Sequence, residues 1–180
     1  MMNGIYRNIH KNTLSFEDLK DIFESKAVVI NEGLQQNCDF LIIEMCRMFP
    51  NTQILSFYQS SNHYLSIFEQ LKCTTPIIIT PYDNKNPFSF NLDFPLIIDN
   101  SYSYFLHGGK KIDNGNVIYI FRAGSFQPKD LYLGQVIVEL SSLKSGISNE
   151  IDGFIKIFDR ENVYKEMKYK IRNNFILCIE

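Results

Sequence analysis

The sequence predicts an α/β to α+β fold: a mixed β-sheet with an N-terminal βαβαβ (Rossmann-like) half and a β-rich C-terminal half closed by a helix. Three observations predict it. Short apolar runs at 27–30, 52–57, 76–80 and 96–98 are rich in Val, Ile and Leu and lack polar alternation, as strands buried on both faces do. Segments with helical spacing separate the first three runs. Beyond residue 98 that spacing is lost until the C-terminus, and Gly- and Pro-bearing turns divide the apolar runs instead.

Taken in order, 4–10 (GIYRNIH) reads as a short first strand. Ser15 is a candidate N-cap with Asp18 three residues on, and Phe16, Leu19, Ile22 and Phe23 share helical spacing, so 16–25 reads as an amphipathic helix. Residues 27–30 form a buried strand followed by the turn Asn31, Glu32 and Gly33. The run 38–49 (CDFLIIEMCRMF) is apolar on most sides, and its length and the stop at Pro50 predict a buried helix. The strand at 52–57 leads to Ser60, Ser61 and Asn62, which offer caps for a helix at 62–72 with Leu65, Phe68 and Leu71 on one face.

After the strand at 76–80, residues 81–95 hold three of the six prolines and read as a long irregular loop. One domain over 1–180 is expected, with a candidate internal boundary near 84–95. A strand at 96–98 precedes HGGKKIDNGN (107–116), a turn containing Asn-Gly. Strands are expected at 117–121, 131–140 and 154–158. Asp159 is a candidate cap for a helix at 160–172, with Val163, Met167 and Ile171 as its apolar stripe and a solvated Lys-rich face. The apolar run 175–179 is the last strand, which needs a neighbour or cover.

Composition excludes several classes. Eighteen basic and twenty acidic residues give a net charge of −2, without the basic field that drives nucleic-acid binding. The cysteines at 38, 46, 73 and 178 form no CxxC pair and have no His at zinc-ligand spacing. They read as reduced, buried thiols of a cytoplasmic protein, and no metal is assigned. The first residues lack an apolar signal core, and no run is long enough to span a bilayer.

Polar turns follow the apolar strands: Asn31, Glu32 and Gly33; Tyr58 and Gln59 with Ser60, Ser61, Asn62 and His63; Tyr82, Asp83 and Asn84; Asp99 and Asn100. In open parallel sheets these turns converge on the ligand-binding edge. Ser60, Ser61, Asn62, His63, Tyr82 and Asp83 are the candidate contacts there for a small anionic or nucleotide-like ligand. The usual signatures are missing. The turn after the first buried strand, NEGLQQN, has one glycine instead of G-x-G-x-x-G, and no G-x-x-x-x-G-K-[ST] occurs. Tyr58 and Gln59 stand where an acid would hold ribose hydroxyls. No cofactor is assigned. The order Arg7, Ser56, Glu139 loosely resembles that of ADP-ribosyltransferases, which implies an Arg on an NAD phosphate and a Glu at a ribosyl cation. The chain lacks the E-x-E or Q-x-E that such a turn carries.

Phe88, Phe90, Phe94, Tyr102 and Tyr104 concentrate rings in and just after the long loop. Aromatic surfaces of this kind suit protein recognition. The expected function is a small protein-interaction module without catalysis, such as an inhibitor or immunity-type accessory protein. The alternative is a nucleotide- or NAD-using transferase with its site at the carboxyl ends of the strands.

Overall fold

A computed structural model describes residues 20, 23–24, 26–34, 36–72, 76–79, 89–113, 116–143, 150–158, 163–172 and 175–179. Its frame is one nine-stranded sheet in the order β3-β2-β4-β5-β1-β6-β7-β8-β9. The strands are β1 (Val28–Glu32), β2 (Gln53–Ser56), β3 (Ile77–Ile79), β4 (Leu96–Asp99), β5 (Val117–Phe121), β6 (Val136–Ser141), β7 (Gly153–Phe158), β8 (Val163–Arg172) and β9 (Phe175–Ile179). The first six in space pair in parallel. From β6 onward the pairing is antiparallel. Strands from both sides of 84–95 therefore share one sheet, and the expected mixed α/β architecture is present.

Alternation along each strand divides the core into two layers. Val28, Ile30, Ile54, Ile97, Ile118 and Ile120 face helices α1 (Asp39–Met48) and α2 (Ser61–Gln70). Val29, Leu55, Ile98, Tyr119 and Phe121 face helix α3 (Ser101–Leu106) and the segment carrying Phe126 and Leu133. Helix α1 is buried from Asp39 through Cys46. Tertiary packing thus holds its β-branched Ile42 and Ile43 in a helix despite their modest propensity. Each fully buried side chain of this size contributes roughly 1.5–3 kcal/mol. Ser60 caps α2, its Oγ accepting from the His63 backbone N–H at 3.3 Å. The connections leave β1 and β2 toward one face and β4 and β5 toward the other. The neighbours β1/β5 and β2/β4 are therefore points where a crevice opens at the carboxyl ends.

Three sequence expectations need correction. The helix expected at 160–172 is the long strand β8. Val163, Met167 and Ile171 recur every four residues, a spacing that suits a strand face as well as a helix face, because four is even. Tyr169 decides between them: it is buried with Met167, while Glu166 is exposed. The period is two. Second, the strand expected at 131–140 begins only at Val136. Pro128–Tyr132 is a 3-10 turn with a capping box between Gln127 and Asp130, and Pro128 stands where a missing N–H costs nothing. Third, α3 was not expected. Its six residues, SYSYFL, have weak helix propensity, and Asn100 starts it from a left-handed conformation (φ 73°), its side chain accepting from Ser103 N at 3.2 Å. The strand expected at 4–10 lies outside the described residues, as do 81–88 of the long loop. Of 16–25, the described Lys20, Phe23 and Glu24 are helical.

Candidate functional site: a buried arginine at the strand ends

The last residues of β1 and β4 and the residue after β5 meet beside the first turns of α1 and α2. Side-chain alternation explains why. Phe121 faces the α3 layer, so the next residue, Arg122, turns to the α1/α2 layer. Glu32 follows Ile30 by two and Asp99 follows Ile97 by two, and both isoleucines face that layer. Parallel pairing sets Asn31 beside Phe121 and Asp99 beside Ile120. One cation is thereby brought among the acids of two neighbouring strand ends.

Each guanidinium nitrogen of Arg122 donates to a different carboxylate. Nε reaches Asp99 Oδ1 at 2.7 Å, Nη1 reaches Glu32 Oε2 at 2.7 Å, and Nη2 reaches Asp39 Oδ1 at 2.8 Å. Nη2 also approaches the Tyr64 hydroxyl at 3.4 Å, and that hydroxyl donates to Asp99 Oδ2. The Tyr58 ring lies over the guanidinium, 4.8 Å from centroid to Cζ. His63 Nε2 sits 3.3 Å from Asp39 Oδ2 at the rim. Arg122, Glu32 and Asp99 are almost fully buried.

Burial of this degree sets the protonation chemistry. Burial opposes the Arg122 charge, yet the acidic neighbours outweigh it and hold the group cationic, above its ordinary range. Burial raises the Asp99 carboxyl, with Arg122 and the Tyr64 hydrogen bond opposing the rise. Burial, then the Asp99 charge, pushes the Tyr64 hydroxyl up. Burial likewise raises the Cys38 thiol, which keeps it protonated and unreactive.

The chain also fills its own helix-end anion positions. Glu32 accepts from Cys38 N at 2.9 Å, and Asn37 Oδ1 accepts from Asp39 N at 2.8 Å. The turn after Arg122 is bound the same way: Ala123, in a left-handed conformation at φ 49°, donates to Glu32 Oε1 at 3.3 Å, and Gly124 donates to Glu32 O at 3.0 Å. Three carboxylates surround one guanidinium whose nitrogens are all engaged. A phosphate entering here would displace those bonds and meet surplus negative charge.

Of the residues expected to bind a ligand, Ser60 acts as a helix cap, Ser61 and Asn62 form the first turn of α2, and His63 reaches the cluster through Asp39. Tyr82 and Asp83 lie outside the described residues. Glu32 and Asp99 were legible as strand-end acids. Arg122 and Asp39 were not singled out; the available signal was an arginine directly after the apolar run VIYIF. Ser56 on β2 and Glu139 on β6 are four strands apart in the sheet, roughly 19 Å at the usual strand spacing. Arg7 lies outside the described residues.

A second feature lies on the opposite layer. Between α3 and Pro128–Tyr132 is a groove of about 340 Å³ lined by Tyr102, Phe105, Leu106, Phe121, Tyr132 and Leu133, among others. Tyr102 is 50% exposed, Leu106 67% and Tyr132 54%. Of the rings expected to meet a partner, Tyr102 is thus on the surface. Tyr104 is core instead, its hydroxyl donating to Lys110 O at 2.8 Å, because it is the α3 residue that faces the sheet. Phe90 and Phe94 are half-buried, and Phe88 lies outside the described residues.

No family model matches the chain, and no curated protein matches it significantly. Solved structures do. One is an uncharacterised protein from Pyrococcus horikoshii in complex with an unknown peptide; identity is 7%, coverage is 91% of this chain and 96% of that one, and the TM-score is 0.55. The chain is an α/β protein. At such identity the likeness is one of fold. A KaiC-like protein from Pyrococcus horikoshii OT3 matches with 10% identity over 86% of this chain and 89% of that one, at a TM-score of 0.49.

Proposed function

We propose that the protein is a protein-binding module, without catalysis, that receives an apolar segment of a partner in the groove between α3 and Pro128–Tyr132. The observation that carries this reading is the exposure of Tyr102, Leu106 and Tyr132 around one concavity. Large apolar groups clustered at the surface mark interaction sites, and aromatic anchors dominate binding energy there. The peptide held by the Pyrococcus horikoshii protein indicates that this fold is compatible with such use. An inhibitor or immunity-type role in the cytoplasm would employ a surface of this kind. The rival, a nucleotide- or NAD-using transferase, is disfavoured by the saturated Arg122 cluster at the edge where its ligand would sit.

The test is a photo-crosslinking residue placed at position 106 of the full chain in its native cells. One dominant protein adduct, lost when Tyr132→Ala is added, supports the reading. A purified protein that retains stoichiometric nucleotide in native mass spectrometry, with no adduct at 106, would sink it in favour of the transferase.

A further inference from the structure

The turn HGGKKIDNGN is absorbed by neither the Arg122 cluster nor the groove. It runs from the end of α3 to the start of β5, and 92–95 runs to the start of β4. Residues 108–113 of this turn, with Phe90, Leu92 and Tyr104, line a trough of about 480 Å³ near the amino ends of these strands, away from the edge that holds Arg122. Phe90, Leu92, Tyr104 and Ile112 supply its apolar walls, and Lys110 and Lys111 stand at its rim.

The turn is built for this shape. Gly109 packs so closely on the Tyr104 ring that a Cβ there would overlap it. Gly108 has φ +87°, with open space where a side chain would go. The Tyr104 hydroxyl fixes the Lys110 carbonyl, which leaves the Lys110 side chain directed by no described partner. Lys111 pairs with Asp113 at 3.1 Å, so among the described lining residues Lys110 carries the unbalanced charge. Leu92, Gly108, Lys110, Lys111 and Asp113 are all exposed. A trough open along its rim suits an extended chain better than an enclosed small molecule, which a pocket normally surrounds.

We infer that this trough is a second docking site, for an acidic, apolar peptide segment of a partner protein. An apolar side chain would enter between Leu92 and Ile112 while a neighbouring Asp or Glu meets the Lys110 ammonium. Charge complementarity chooses the occupant: among the described lining residues the exposed rim carries two lysines against one aspartate. The inference is independent of the groove between α3 and Pro128–Tyr132, which is lined by different residues.

Fluorescence anisotropy on the full chain tests it with three labelled decapeptides: alternating Leu and Glu, alternating Leu and Lys, and alternating Ser and Glu. The Leu/Glu peptide is expected to bind best, with affinity falling as salt screens the rim. Lys110→Glu, an exposed change that keeps the backbone bond to Tyr104, should weaken it by about tenfold, since an attraction becomes a repulsion. The same change should strengthen the Leu/Lys peptide. Leu92→Asp is expected to abolish the Leu/Glu preference over Ser/Glu. Equal binding of Leu/Glu and Leu/Lys, indifference to Lys110→Glu, or tighter binding of a single-stranded oligonucleotide than of any peptide would overturn the proposal. Thermal unfolding of each variant, expected to match the parent, separates loss of the site from loss of the fold.

Discussion

Arg122 is buried just past the end of β5 among the carboxylates of Glu32, Asp39 and Asp99, and that environment decides what its removal does. Breaking a buried ion pair from one side leaves the other charges uncompensated, at a cost of about 3–5 kcal/mol. Arg122→Met is expected to lower stability by that amount in urea unfolding. Adding Glu32→Gln and Asp99→Asn should restore a large part of it, because the penalty lies in the orphaned carboxylates that these changes neutralise. If the triple variant were as unstable as the single one, the guanidinium would be acting through packing alone. Tyrosines supply a second residue-scale test. Burial pushes the Tyr119 hydroxyl up to about 12 from the usual value of 10, and its bond to Ile112 opposes the rise. Tyr104 shifts in the same direction for the same first cause. A raised folded value means the native state keeps a proton that the unfolded chain releases. The stability this provides is complete below pH 10 and is lost as pH rises from 10 toward 12, by roughly 2–3 kcal/mol for a two-unit shift. The Tyr119 ring, followed by NMR of tyrosine-labelled protein and assigned with Tyr119→Phe, should therefore ionise together with unfolding; ionisation of Tyr119 in the native protein with a midpoint near 10 would contradict the shift.

At the scale of elements, β8 offers the sharpest test of period. On a helix with a stripe of Val163, Met167 and Ile171, Tyr169 would project to solvent. In the strand it is buried, tilts against Phe40 at 5.3 Å between centroids, and donates its hydroxyl to Gln36. Tyr169→Ala is expected to cost about 3–5 kcal/mol, and Lys168→Ala no more than about 0.5 kcal/mol. Gly153→Ala should also destabilise, since its Cβ would come 2.6 Å from Ser141 O and 2.9 Å from the Tyr169 ring. Equilibrium urea unfolding of the three variants checks the ranking. Five of the six parallel strands were legible because they are short, largely apolar runs bounded by caps and turns: Val28–Glu32, Gln53–Ser56, Ile77–Ile79, Leu96–Asp99 and Val117–Phe121 all fall within two residues of their sequence positions. Helix α3 was illegible because tertiary contacts of Tyr104 and Phe105, not propensity, hold it. Of the cluster, Glu32 and Asp99 could be read as acids at strand ends. Their partner Arg122 is 90 residues from Glu32 and 23 from Asp99, and only the strand order brings the three together.

At the scale of the whole molecule, the described residues bury a charged cluster at the carboxyl end of the parallel strands and expose large apolar side chains such as Tyr102, Leu106 and Tyr132 elsewhere. A parallel sheet of this kind normally leaves the carboxyl-end crevice for a ligand. Here Arg122 occupies it, the acids that would repel a phosphate surround it, and Tyr58 covers it. The fold keeps the geometry of a binding edge while using it as an internal tie between β1, β4, β5, α1 and α2. Ligand linkage gives this a measurable form. A nucleotide present at a hundred times its dissociation constant would add about 2.7 kcal/mol of stability. For a chain of this length that is a rise of roughly 5–10 °C in Tm. Millimolar ATP or NAD is expected to leave the melting temperature of the protein unchanged, and to leave that of Arg122→Met unchanged as well. The second comparison matters more than the first. If ATP raised the melting temperature of the variant alone, the edge would be a nucleotide site closed by its own arginine. With neither protein responding, the strand-end edge acts toward these nucleotides as an internal tie alone, which is what the proposed binding at Tyr102, Leu106 and Tyr132 requires.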